Sequence, residues 1–204
     1  MSFIAISQSV DIDKNKNERK DCLDQRWFKF LNDCGLLPLS IPNNIESVKK
    51  LLVTVELDGI VLTGGNDLCA YGGNAPERDE TETFLIKYAI DKDLPLLGVC
   101  RGMQMIQHYF GVKLSRVDGH IVQNHQIEMN GSFRTVNSYH NFGAKESVAD
   151  LEILAKATDG VIEAVYHKQY PIQGILWHPE RSDSISEEDK RLLQNFFRLR
   201  QASQ

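Results

Sequence analysis

Through the first half of the chain, short apolar runs alternate with longer stretches in which apolar residues recur every three or four positions. The runs at residues 3–7, 37–41, 59–63 and 95–99 are too short for buried helices, so they predict strands covered on both faces. The stretches between them, residues 18–34, 45–55 and 81–91, predict helices. Asn43 and Asn44 precede the second and Asp79 the third, each able to accept a hydrogen bond from a free N–H of the first turn. The order βαβαβαβα predicts a parallel sheet with helices on both sides. Beyond Gly111 the runs shorten, and residues 112–115, 121–128 and 133–137 predict an antiparallel patch. Strands follow at 152–157, 161–166 and 173–177. A closing amphipathic helix over 186–200 opens on Ser186-Glu187-Glu188-Asp189, acidic where the helix dipole is positive.

The fourth strand carries the first candidate for chemistry. It runs into Gly98-Val99-Cys100-Arg101-Gly102, with a glycine two positions to either side of the cysteine and a helix expected over roughly 102–110. Small residues at those positions allow the sharp strand-to-helix turn of a nucleophile elbow, as in G-x-S-x-G hydrolases. The N-H groups at the helix start favour thiolate at Cys100, and thiolate is the nucleophilic form. A base is available in Trp177-His178-Pro179-Glu180, where proline ends a strand and leaves His178 at the rim. Cys100, His178 and Glu180 therefore form a candidate triad of nucleophile, base and orienting carboxylate.

Length and charge narrow the partners. At 204 residues and 42% hydrophobic content, residues 1–204 read as one domain. A formal net charge of −5 supplies no basic face for nucleic acid. The apolar run after Met1 is too short for a signal peptide, and nothing approaches the ~20 residues of a membrane span, so a cytoplasmic protein without a membrane partner is expected. Cys22, Cys34, Cys69 and Cys100 show no C-x-x-C spacing, which suits free thiols, the first three in packing roles. His108, His120, His125, His140 and His167 contain no i, i+4 pair, so no metal is expected and surface or supporting roles are assigned to them.

Five segments in order carry a family resemblance: Leu62-Thr63-Gly64-Gly65-Asn66-Asp67, Arg78-Asp79-Glu80-Thr81-Glu82, the Cys100 elbow, Val136-Asn137-Ser138-Tyr139-His140 and His178-Pro179-Glu180-Arg181. Together they resemble the class I glutamine amidotransferase-like family, and within it the γ-glutamyl hydrolases of the peptidase C26 type. The resemblance implies a flavodoxin-like three-layer α/β/α sandwich with its site beyond the carboxyl ends of the strands. It also implies cleavage of a small-molecule γ-glutamyl amide through a thioester on Cys100, without metal or cofactor. Arg101 directly after the cysteine, with the R-D-x-x-E helix start, looks like the γ-glutamyl-γ-aminobutyrate hydrolases. The segment Asn17 to Trp27, with Ile41-Pro42-Asn43-Asn44, is closer to a narrower bacterial group that hydrolyses γ-glutamyl-CDP-amidate for capsular phosphoramidate synthesis. A glutaminase subunit feeding ammonia to a separate synthase is the other reading.

What the resemblance implies for single residues stands beside plainer readings. Gly65 and Arg101 amides become an oxyanion hole with Gly64 and Asn66 nearby, whereas paired glycines also make ordinary turns. Gln104 contacts the amino-acid end of the glutamyl group or is simply solvated. Ser138 and Tyr139 bind the α-carboxylate through backbone N-H groups, or form a β-turn after the preceding strand. Arg78 and Asp79 reach the site, or are a solvated arginine and an acidic N-cap. Arg19 and Arg26, both on the expected first helix, contact a diphosphate or line a solvated face.

Overall fold

The computed structural model describes residues 2–182 and 185–198. The strands in chain order are β1 (Ser2–Ile6), β2 (Ser9–Asp13), β3 (Glu18–Cys22), β4 (Leu36–Ser40), β5 (Gly59–Leu62), β6 (Leu96–Val99) and β7 (Ser115–Arg116). They continue with β8 (Ile121–Met129), β9 (Ser132–Tyr139), β10 (Phe142–Gly143), β11 (Leu151–Ala157), β12 (Ile162–His167) and β13 (Ile172–Ile175). The helices are α1 (Arg26–Asp33), α2 (Ile45–Thr54), α3 (Pro76–Lys92), α4 (Arg101–Tyr109) and α5 (Glu187–Arg198).

One nine-stranded sheet runs β4-β1-β5-β6-β13-β12-β11-β8-β9. Neighbours from β4 to β13 are parallel and those from β13 to β9 antiparallel. The antiparallel patch therefore extends the central sheet. Alternation along each strand sorts the core into two layers. Ile4, Ile6, Val61, Leu97 and Val99 pack with Trp27, Phe30 and Leu31 of α1 and Leu193 of α5. Ala5, Ile60, Leu62 and Leu96 face the other way, onto Val48 of α2, Leu85 and Ile86 of α3 and Ile106 of α4. The result is the expected three-layer sandwich.

Three expectations are corrected. Residues 18–22 are not the start of a helix but β3, paired antiparallel with β2 in a hairpin. Asp13 Oδ1 accepts from the amides of Asn15 and Lys16, and Asn17 takes a positive φ of 52°, so the turn is built from local side-chain bonds and a left-handed asparagine. Arg19 and Arg26 consequently do not share a helix. The third helix begins at Pro76, which fits a first-turn position with no N–H to satisfy, so Asp79 lies inside it and is not its N-cap. Ser138 and Tyr139 belong to β9, paired with Val122 and Ile121, and not to a turn after it. Asn44 does cap α2, accepting from the Ser47 amide at 2.9 Å. Residues 199 and 200 of the expected closing helix lie outside the described residues.

Candidate active site

β6 and β13 pair in register, and each delivers one member of the site from its carboxyl end. Cys100 lies between β6 and α4 at φ 53°, ψ −108°, a conformation that costs a non-glycine residue of order 1–3 kcal/mol. Packing holds it there. A Cβ at Gly98 would overlap Gly102, and one at Gly102 would overlap the Leu62 carbonyl, so α4 can start this close to the sheet only with glycine at both positions. The Cys100 amide donates to Ile175 O at 2.8 Å and its carbonyl accepts from Gln104 N at 3.1 Å, which fixes the elbow to β13 and to its own helix.

His178 follows β13 and is buried. Its backbone is clamped by the Asn137 side chain, which accepts from His178 N at 2.7 Å and donates to His178 O at 2.8 Å. Its ring is fixed by Glu180, whose Oε1 lies 2.6 Å from Nδ1. A carboxylate only accepts, so Nδ1 carries hydrogen and Nε2 is left for the other side of the ring, where Gly64 and Cys100 lie. Burial opposes charge on His178, but the Cys100 sulfur and the Glu180 carboxylate outweigh it and leave the imidazole pKa pushed up to about 9. The three predicted catalytic groups are thus brought together from two strand ends.

The loop after β5 faces this pair. Its conformation is set from behind by Arg78 of α3, which is wholly buried. The guanidinium donates to the carbonyls of Thr63, Gly64 and Gly65 at 2.8 to 2.9 Å and to Glu82 Oε1 at 2.9 Å. Arg101 pairs in turn with Glu82 and Asp79. Burial opposes the charge on Glu82, yet Arg101 and Arg78 hold its carboxyl well below the usual range. Burial likewise lowers the Arg78 pKa, to about 10, so it keeps its charge near neutral pH. The sequence reading of Arg78 as solvated and of Asp79 as a cap is replaced by this four-charge network, buried but for the partly exposed Asp79.

The remaining expected contacts fall in different places. Asn66 binds Val10 N and Val10 O, tying the β2–β3 hairpin over the loop, and accepts from Arg78. Gln104 is buried and donates to Phe142 O at 2.9 Å. Ser138 Oγ donates to His120 O, and the Tyr139 ring meets His178 edge-on at 5.8 Å. Arg19 is engaged with Glu77 and the Asn74 carbonyl. Arg26 pairs with Asp24 on the exposed start of α1. Arg181, next to the triad, lies over the Tyr139 ring at 5.2 Å. Asn137 and Glu82 were not foreseen as site residues. Both sit inside segments that the sequence singled out, and nothing local distinguishes a clamp from a solvated polar residue.

Residues 25–199 match the family model for glutamine amidotransferase class-I. The chain belongs to this family. It is 35% identical over 204 residues to a γ-glutamyl-CDP-amidate hydrolase of Campylobacter jejuni, covering 97% of this chain and 98% of that protein. A γ-glutamyl-γ-aminobutyrate hydrolase of Escherichia coli is 27% identical over 209 residues, with 83% and 82% covered. Among solved structures, a putative GMP synthase component from Thermoplasma acidophilum superposes with a TM-score of 0.74 at 24% identity, over 100% of this chain and 96% of that one. The amidotransferase sandwich is therefore shared as a fold. Among the described residues no helix is long and apolar enough to cross a membrane.

Proposed function

We propose that this protein is a cysteine-dependent hydrolase that releases L-glutamate from a γ-glutamyl amide, with γ-glutamyl-CDP-amidate as its substrate and Cys100, His178 and Glu180 as its triad. The observation that carries the chemistry is Cys100 held at positive φ beside a histidine whose far nitrogen is bonded to Glu180. The Cys100 sulfur attacks the γ-carbonyl, and the oxyanion is received by the amides of Gly65 and Arg101. Among the described residues neither N–H is spent on a backbone hydrogen bond. The C–N bond breaks as His178 passes its proton to the leaving nitrogen, which leaves a γ-glutamyl thioester. Water, deprotonated by His178, then cleaves the thioester to give glutamate and the free thiol.

The nucleotide part of the substrate is supported by the similarity to the Campylobacter jejuni protein and by charge. Arg181 stacks on Tyr139, which touches His178, and Arg26 stands close enough to feel the charge of Glu180. Two guanidinium groups beside the triad suit a diphosphate. The product, cytidine diphosphoramidate, serves capsular polysaccharide modification in this reading. Glutamate release from γ-glutamyl-CDP-amidate, γ-glutamyl-γ-aminobutyrate and glutamine under one set of conditions tests it. The nucleotide is expected to lead by about a hundredfold in kcat/KM, about 2.7 kcal/mol of transition-state binding. Equal rates on all three substrates refute the nucleotide assignment, and unimpaired turnover by Cys100→Ala refutes the chemistry.

A further inference from the structure

Three histidines that the sequence leaves scattered are brought together around one carboxylate. His120 directly precedes β8, His125 lies at its middle, His140 directly follows β9, and Glu163 points from β12. Glu163 is fully buried, and its Oε1 lies 3.2 Å from His120 Nδ1, 3.1 Å from His125 Nε2 and 3.5 Å from His140 Nε2. The rings of His125 and His140 lie 4.5 and 4.7 Å from that of His120.

The outer nitrogens decide how these rings face inward. His140 Nδ1 lies 3.0 Å from the Phe142 carbonyl, which can only accept, so that nitrogen carries the hydrogen and Nε2 turns a lone pair toward Glu163. His120 Nε2 lies 3.2 Å from an Asp159 carboxylate oxygen, so the same holds for its Nδ1. His120 Nδ1, His140 Nε2 and Glu163 Oε2 have no hydrogen-bond partner although all are buried. Neutral imidazoles so oriented would aim lone pairs at a carboxylate, an arrangement that a cation between them resolves. Ligands about 2.0–2.1 Å from a tetrahedral Zn²⁺ lie roughly 3.3–3.4 Å apart, close to the separations of Glu163 Oε1 from His120 Nδ1 and His125 Nε2. An imidazole whose other N–H is held by a carboxylate or carbonyl is also the usual outer arrangement of a metal-bound histidine.

We infer that His120, His125 and Glu163, whose ligand atoms lie within 4.8 Å of one another, form a binding site for a first-row divalent cation of the zinc type. The site has three protein ligands and no thiolate, water completes the coordination, and its role is to brace the strands that it joins. It fastens β8 to β12 where Ser138 of β9 donates to the His120 carbonyl and Leu176 N donates to Glu163 O, just before His178. Gln104 shares the Phe142 carbonyl with His140. The cation would thus brace the strands that frame the triad without touching substrate, and its uptake is independent of which γ-glutamyl amide is cleaved.

The test titrates chelator-treated enzyme with ZnCl₂ and with CoCl₂, reading heat, the visible absorption of Co²⁺ and Tm. The expected result is one equivalent per chain, the strong visible bands of four-coordinate Co²⁺ without sulfur charge transfer, and a Tm that rises with metal concentration. Asp159→Asn, at an exposed loop position, should weaken binding about 10–100-fold by freeing the outer hydrogen of His120 while leaving the fold intact. His125→Ala should weaken it further. Absence of uptake by the wild-type enzyme overturns the site. So does uptake unaltered in both variants, or a sulfur charge-transfer band, either of which places the metal elsewhere.

Discussion

Gly64→Ala isolates the contact between the loop after β5 and the triad. A Cβ at this position would lie 2.5 Å from His178 Cε1, 3.3 Å from Nε2 and 3.5 Å from Cys100 Cβ. Carbon atoms rest at about 3.5–4.0 Å, so the imidazole must retreat by roughly 1 Å, or the loop must. Neither moves freely, since Glu180 and Asn137 hold His178 and Arg78 holds the loop carbonyls. A displacement of about 1 Å in a reacting group costs about 100-fold in rate, or about 2.7 kcal/mol. Gly64 does not have the positive φ of Gly65, so alanine brings no backbone strain of its own and the effect is steric. The assay is kcat/KM for glutamate release beside a thermal melt. A loss of about two orders of magnitude with little change in Tm is expected. Activity within threefold of wild type refutes the packing argument, and a large fall in Tm refutes its confinement to the site.

The pH profile should follow His178. Its raised pKa means that the imidazolium, the proposed proton donor to the leaving nitrogen, disappears as pH climbs through about 9, and kcat/KM should fall along that limb. The same ionisation stabilises the fold fully below its unfolded pKa of 6.5 and ceases to do so above about 9, so Tm should decline over that interval. In Glu180→Gln the limb should move to lower pH, and an unmoved limb in pH–rate measurements contradicts the pairing. Glu82→Gln leaves two buried guanidinium groups short of a charge and should cost about 3–5 kcal/mol in denaturant titration. A change below 1 kcal/mol would mean that the network is not stabilising as charged. Arg78→Lys keeps a charge but loses the fork that reaches three carbonyls, and kcat should fall about 10²–10³-fold with KM little altered. An equal loss spread into KM would assign Arg78 to substrate binding instead.

What was legible in the sequence was whatever local pattern determines. Strands covered on both faces read as apolar runs, and the elbow read as a spacing of glycines, because both are constraints that neighbouring residues impose. The β2–β3 hairpin was missed because Glu18-Arg19-Lys20-Asp21-Cys22 is polar on both faces and shows no period of two, with exposure at nearly every position. Asp13, Asn15 and Asn17 are residue types that build turns, but the charged residues after them show no strand pattern to pair with that turn. Arg78 could not be recognised as buried, since an arginine after Pro76-Glu77 looks solvated until the carbonyls of a distant loop converge on it. The histidine cluster is a further case of the same kind, because His125 and Glu163 come from β8 and β12 and His120 and His140 from the ends of β8 and β9, and no spacing rule along the chain joins them.

The Arg78 contacts also explain why the loop after β5 needs a charge behind it. In a trans peptide the carbonyl of one residue and the N–H of the next point in opposite directions. Arg78 draws the Gly64 carbonyl toward the core at 2.9 Å, so the Gly65 N–H is turned away from Arg78, toward the side where His178 and Cys100 lie. An apolar residue could fill the same volume but could not orient that peptide, and three inward carbonyls would then be buried unpaired. The cost of burying Arg78 is met by Glu82, which also binds Arg101, the residue immediately after Cys100. One carboxylate therefore couples the loop that supplies one proposed oxyanion donor to the helix start that supplies the other. Both donors are backbone groups that side-chain substitution cannot remove, so their alignment is tested through the residues that hold them, Arg78, Glu82 and Arg101 among them. Changes at those positions should lower kcat together, and non-additively, as members of one network.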